Sequence, residues 1–231
     1  METFGKANGF YNRQIKTLTT ISEAQAAAVD VETKIPVGKI EHFYDMIDYF
    51  SDPETQPKDR GTLIHGDYKI DNMVFHKTEP RVIGILDWEM ATVGHPLSDL
   101  ANLTSPYVSV LSPTGVGSGR GAPEFAPGTV KGLPSREQVI KWYSDAAGWD
   151  PTPEMTWGDA FGAFRGGIIM QGIAARYALR QASSEKARDY AVQMKPYSLW
   201  AWSLVQLQKH QHPKKKSAKE RAGELATGSK L

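Results

Sequence analysis

The sequence predicts an α+β domain that is mostly helical, and three observations lead there. Apolar residues recur at three- and four-residue steps toward both ends of the chain, short β-rich runs cluster between residues 62 and 86, and turn-forming residues separate the two regimes. At 231 residues with 40% hydrophobic content, the chain can bury a sizeable core as one domain with an appendage.

Residues 10–29 alternate apolar and polar side chains at helical spacing and end in alanines, which predicts a first helix. A second follows on Ile40, Phe43, Tyr44, Ile47 and Phe50, with Pro36 suited to its start. The stretch 51–61, with S-D-P and Q-P-K-D-R-G, reads as a loop. Residues 62–64, 73–75 and 82–86 are short strand-like runs. T-E-P between the last two is turn material, so 73–86 is expected to form a hairpin. Helical spacing resumes at 94–103, G-H-P-L-S-D-L-A-N-L.

Residues 105–134 are rich in Gly, Pro and Ser and keep no period, as in a long loop or insertion. Their G-V-G-S-G-R-G, 115–121, has neither the preceding strand nor the following helix of a phosphate-cradling loop, so a plain loop is expected. Ser135 should cap a helix reaching Ala147, with Val139, Ile140, Trp142 and Tyr143 on its buried side. Residues 157–182 and 185–208 read as longer helices, the second interrupted near Pro196. G-A-F-R-G-G and Q-G-I-A-A in the first suit close helix packing.

Composition narrows the function. No run of 18 apolar residues occurs, and the N-terminus lacks the apolar stretch of a secretory signal, which predicts a soluble chain not secreted by that route. Without cysteine there is no disulfide framework and no thiolate metal site. Net charge is +1 but uneven: seven Lys and Arg against two acids from residue 209 onward leave the first 208 residues at −4. A mildly acidic body gives no nucleic-acid face, and the lysine-rich segment 209–231 reads as a solvated, disordered tail. It ends in Ser229, Lys230 and Leu231, the S-K-L address read by the peroxisomal import receptor.

The chemistry concentrates in L-I-H-G-D-Y-K-I-D-N-M-V-F, 63–75, and I-L-D-W-E, 85–89. Asp67 and Asn72 bracket a short loop, and Asp87 ends the return strand of the hairpin, so all three can face one cavity. An amide and a carboxylate oxygen, Asn72 and Asp87, are hard ligands suited to a magnesium ion that keeps waters and phosphate oxygens. Asp67 is then free to accept or orient a hydroxyl proton, as phosphoryl transfer requires. Asp71 reads as a turn-stabilising carboxylate, His65 as a hydrogen-bonded core histidine, and His76 and His95 as surface or loop residues. Glu89 is read equally as a contact of a magnesium-bound water or of a neighbouring cation. Trp142, Tyr143 and Trp157 could line a substrate pocket between this loop and the helices after Ser135, although their helical spacing favours the core.

H-G-D-x-x-x-x-N followed by a hairpin and an apolar-D-W-E resembles the catalytic and metal motifs of the aminoglycoside phosphotransferase and choline kinase family, relatives of the protein kinases. The run from His65 through S-D-L-A, with F-G-K-A-N-G-F-Y-N-R-Q, G-L-P-S-R-E-Q-V and I-M-Q-G-I-A-A-R, is similar to the kinase-like domain of acyl-CoA dehydrogenase family proteins. The resemblance implies a protein-kinase-like large lobe over 1–208. It makes Asp67 the catalytic base, Asn72 and Asp87 the magnesium ligands, and His65 and Asp99 supports of the loop. ATP and Mg2+ are the implied cofactors, and a small-molecule hydroxyl, first a hydroxyacyl-CoA, the implied substrate. The family's smaller nucleotide-covering lobe has no counterpart in the sequence, since the resemblance begins almost at Met1. Three arrangements fit: a fragment of a full kinase, a lobe borrowed from a partner, or a catalytically silent binding or regulatory module.

Overall fold

The computed structural model describes residues 5–114, 116, 123–182 and 186–211. Most of the glycine run 115–121 and the tail with Ser229, Lys230 and Leu231 lie outside them. Helix α1, Phe10–Ala26, buries Phe10, Tyr11, Ile15, Leu18, Ser22 and Ala26 along one face. It stops short of Val29 because the chain turns back: Val29 bridges Pro36, and the N–H groups of Gly38 and Val37 donate to the Ala26 and Ala28 carbonyls at 3.1 and 2.9 Å. Pro36 therefore belongs to that bridge rather than to a helix start. Helix α2, Phe43–Ser51, buries Phe43, Met46, Tyr49 and Phe50.

Four short strands follow: β1, Thr62–Ile64; β2, Met73–Phe75; β3, Val82–Ile85; and β4, Thr92–Gly94. The β2–β3 hairpin is the expected one, Met73 opposite Ile85. The other pair, β1 antiparallel to β4 with Leu63 opposite Val93, was not expected, because T-V-G is too short to carry a readable period. Strands this short are marginal alone; in the β1–β4 pair Ile64 and Val93 are buried.

Helix α3, Leu97–Ser109, runs past the expected start of the insertion at 105 and includes Pro106, while the Tyr107 hydroxyl ties it to the Pro134 carbonyl at 3.0 Å. Helix α4, Arg136–Ala147, begins as predicted, with the Ser135 hydroxyl accepting from the Gln138 N–H at 3.2 Å. Its Ile140 is buried, but Trp142 is exposed. Helix α5, Met155–Ala178, is buried over much of its length. Helices α6, Ala187–Ala191, and α7, Met194–Gln211, replace the single interrupted stretch. The break lies at 192–193, not at Pro196, which sits in the first turn of α7 where no N–H is needed, and α7 runs into the segment read as tail.

The core gathers where α1, α2, α3, α5 and α7 meet, around Tyr11, Phe50, Trp157, Phe161 and Phe164 in edge-on and stacked contacts. Trp157 is thus a core residue and not a pocket wall. His95, read as a surface or loop residue, is fully buried: Nδ1 accepts from the Leu97 N–H at 3.2 Å, and Nε2 lies 3.1 Å from the Lys58 carbonyl. No helix among the described residues is long and apolar enough to cross a membrane.

One buried ion pair joins α4 to α5. An Arg136 terminal nitrogen donates to both carboxylate oxygens of Asp159, at 2.6 and 2.8 Å. Burial pushes the Asp159 carboxyl up to about 6, and the guanidinium only partly opposes this. A carboxyl raised on folding binds its proton more tightly in the folded chain, so its contribution is fully present below about pH 4 and is lost as pH rises through about 6. Thermal unfolding followed from pH 4 to 7 should therefore show wild-type stability falling relative to Asp159→Asn, which cannot titrate. A parallel pair of curves would refute the shift.

Candidate active site

The segment after β1 turns sharply at Gly66, whose φ of 85° favours glycine. A Cβ there would come within 2.5 Å of the Met90 carbonyl oxygen. Gly66→Ala should therefore cost about 1–3 kcal/mol in urea unfolding; an unchanged midpoint would show that the turn relaxes freely.

Two residues one turn apart on α3 hold this segment. Asp99 accepts from the N–H groups of His65 and Gly66 at 2.6 and 2.9 Å, and Asn102 donates to Asp67 Oδ1 and the Tyr68 carbonyl at 3.3 and 3.2 Å. Burial raises the Asp99 carboxyl even against the two N–H groups that favour its charge. His65 is buried, with Nε2 2.6 Å from the Leu86 carbonyl and Nδ1 accepting from the Asp67 N–H at 3.2 Å. Those partners assign the proton to Nε2 and occupy both ring nitrogens, as the core reading anticipated.

The Asp67 carboxylate faces a cavity of about 360 Å3 between the loop, α1, α3, α5 and α7. Lys69 donates to its Oδ2 at 2.8 Å and Asn72 to the same oxygen at 3.3 Å. Partial burial alone would raise this carboxyl, but Lys69, Asn102 and Asn72 outweigh it and hold the group below its ordinary value. Asp67 is consequently ionised at neutral pH.

Asn72 closes a single 3-10 turn, Ile70–Asn72, and is buried. Its amide nitrogen also donates to the Asp67 carbonyl at 2.8 Å, which leaves the amide oxygen for another partner. The hairpin brings Asp87 alongside: Leu86 N–H donates to the Asn72 carbonyl at 2.8 Å, one step beyond the Met73–Ile85 pair. Asp87 has a left-handed backbone, φ 61° and ψ 48°, a conformation that marks functional or tightly determined positions. Its carboxylate is exposed and makes no hydrogen bond or ion pair among the described residues. Glu89 and Asp71 are also exposed. No group of three or more His, Cys, Asp or Glu fit to hold a metal occurs among the described residues. The free Asn72 amide oxygen and the Asp87 carboxylate are the donor types that a hard cation keeping waters and phosphate oxygens takes.

Sequence reasoning missed Lys69, Asn102 and Arg165 at the cavity. Lys69 could have been found from its two-residue spacing to Asp67; Asn102 only once α3 was known to run past 105; Arg165 only from the packing of α5. Of the aromatic residues proposed as lining, none borders the Asp67 cavity; Tyr143 lines a separate, more open cavity with His65, Trp88 and Trp149.

The profile of the phosphotransferase enzyme family matches residues 5–133, more than half of the chain. Acyl-CoA dehydrogenase family member 11 of Gallus gallus is 34% identical over 198 residues, 85% of this chain and 24% of that protein. Its Homo sapiens counterpart is 32% identical over 200 residues, 85% and 23% respectively. The chain thus spans about a quarter of the length of these relatives. A crystal structure described as an aminoglycoside phosphotransferase of Ralstonia eutropha JMP134 superimposes with a TM-score of 0.70 at 29% identity, over 88% of this chain and 57% of that one.

Proposed function

Because the chain belongs to the phosphotransferase enzyme family, we propose that it acts as the large lobe of a kinase-like enzyme that moves a phosphoryl group from ATP to the hydroxyl of a small molecule. The observation that supports this most is an ionised, hydrogen-bonded Asp67 on a cavity wall, beside the hairpin end that carries Asn72 and Asp87. In this reading the substrate hydroxyl oxygen attacks the γ-phosphorus, the bond to the β-phosphate oxygen breaks, ADP leaves, and the hydroxyl proton passes to Asp67. Asn72 Oδ1 and the Asp87 carboxylate would hold Mg2+, which when bound neutralises charge on the phosphates. His65 and Asp99 keep the loop in place, and Lys69 pairs with Asp67 Oδ2 and favours its charged form.

The names of the curated relatives make a hydroxyacyl-CoA the first substrate to test. Ser229-Lys230-Leu231 would direct the protein to peroxisomes where it stands at the protein's own C-terminus, and that location is proposed on this condition. The test is to incubate the endogenous protein with ATP, Mg2+ and a panel of hydroxyacyl-CoA esters and to seek the phosphorylated ester by mass spectrometry, with and without EDTA. A Mg2+-dependent product supports the reading. Binding of esters without any product would favour the silent binding module.

A further inference from the structure

A second cavity borders the same 65–69 segment, through His65 and Tyr68 where the first takes Gly66, Asp67 and Lys69. It holds about 580 Å3, within the range of small-molecule sites. Tyr68, Trp88, Tyr143 and Trp149 supply aromatic walls, and Leu100 and Leu103 apolar ones.

The charged side chains lining it among the described residues are Arg60 and Asp99. Asp99 has both oxygens engaged, by the His65 and Gly66 N–H groups. Arg60 forms no hydrogen bond or ion pair among the described residues, and its Nε is buried without a partner. Its guanidinium lies over the Trp149 ring, 4.2 Å from the centre, while no carboxylate or carbonyl accepts from its five N–H donors. Asp59, its neighbour in the chain, accepts from the Gly9 N–H instead. Burial raises the Glu154 carboxyl and the Arg60 charge opposes that rise, yet the two do not pair. A half-buried cation left in this way favours an anion beside it.

The walls of this cavity also support the Asp67 loop and the hairpin end. The His65 ring touches those of Tyr68 and Trp88, 5.9 and 4.8 Å between centres, and Trp88 Nε1 donates to the Ile85 carbonyl at 2.9 Å. Tyr68 follows Asp67 in the chain and Trp88 follows Asp87, so a molecule held here rests on the neighbours of both carboxylates.

We propose that this second cavity binds a small aromatic molecule carrying an oxyanion, its ring against Trp88, Tyr143 and Trp149 and its carboxylate or phosphate on the Arg60 guanidinium. A flat ring suits walls built of rings, and an oxyanion suits a planar fork of donors that no protein carboxylate occupies. Asp67 does not line this cavity, so its occupant is an effector and not the phosphoryl acceptor.

The test measures binding and does not depend on turnover. Titration calorimetry of the endogenous-length protein would use 2-naphthoate, 2-naphthyl phosphate and the uncharged 2-naphthalenemethanol. Both anions should bind at least about tenfold more tightly than the alcohol, the scale of one hydrogen bond to a charged group. The tighter anion identifies the head group. In 1H–15N spectra the indole N–H signals of Trp88 and Trp149 should move on binding, while that of Trp200, which lines the Asp67 cavity, should stay. Arg60→Gln should erase the preference for anions. Leu63→Glu, at a cavity residue 54% exposed, adds a carboxylate to the wall and should reduce that preference with little change in Tm. The proposal is overturned if no probe binds, if the alcohol binds as tightly as the anions, if the Trp200 signal moves in place of the other two, or if either folded variant keeps the wild-type preference.

Discussion

Asp67→Asn is expected to lower phosphoryl transfer by roughly 10²–10⁴-fold, the range for loss of a positioned acid–base group. The amide keeps the shape of the carboxylate and can still meet Asn102 or Lys69 through its oxygen, so the loop should hold its course. What it cannot do is accept the proton of an attacking hydroxyl. Stability should change little, because the Lys69–Asp67 pair is about a third exposed on the aspartate side and such pairs contribute little. Initial rates of product formation, read beside Tm and Mg-ATP affinity, check this. A variant that keeps more than about a tenth of the wild-type rate would remove Asp67 from the role of base.

Asp99→Ala should give the largest loss of stability among the site variants, about 3 kcal/mol or more. Two N–H groups on adjacent residues, His65 and Gly66, converge on this carboxylate, and hydrogen bonds to a charged group are each worth about 1.5–3 kcal/mol. Removal leaves both donors without their partner beneath α3, and the turn that aims Asp67 loses its anchor. Urea unfolding should show the lower midpoint, with an accompanying fall in kcat. Asp99→Asn is the discriminating companion: its single oxygen can serve one N–H while its NH2 faces the other, so it should recover only part of the stability. Full recovery would mean that packing, and not the paired acceptor, supports the turn.

The residues at this site were legible in the sequence to different degrees, for physical reasons. His65, Asp67, Asn72 and Asp87 stand out because dense polar groups between apolar strand-like runs need partners, and their spacing is preserved by a short hairpin. Ser135 announces α4 because a capping hydroxyl acts on its own next three residues. The partner strand β4 was not readable, since three residues carry no period and its pairing lies about thirty positions away in β1. His95 and Trp142 were misplaced for the same reason: helical or loop spacing tells which residues could be buried, and only the neighbouring elements decide which are.

By itself the sequence determined the helix-rich α+β class, the hairpin and the list of groups able to carry the chemistry, because these depend on periodicity and on contacts close along the chain. Only the tertiary structure decided that Asp99 and Asn102 grip the loop from α3, and that Arg165 meets the Gly66 carbonyl from 99 residues away. Those relations arise where separate elements pack against one another, and no local pattern encodes which side chains will meet there.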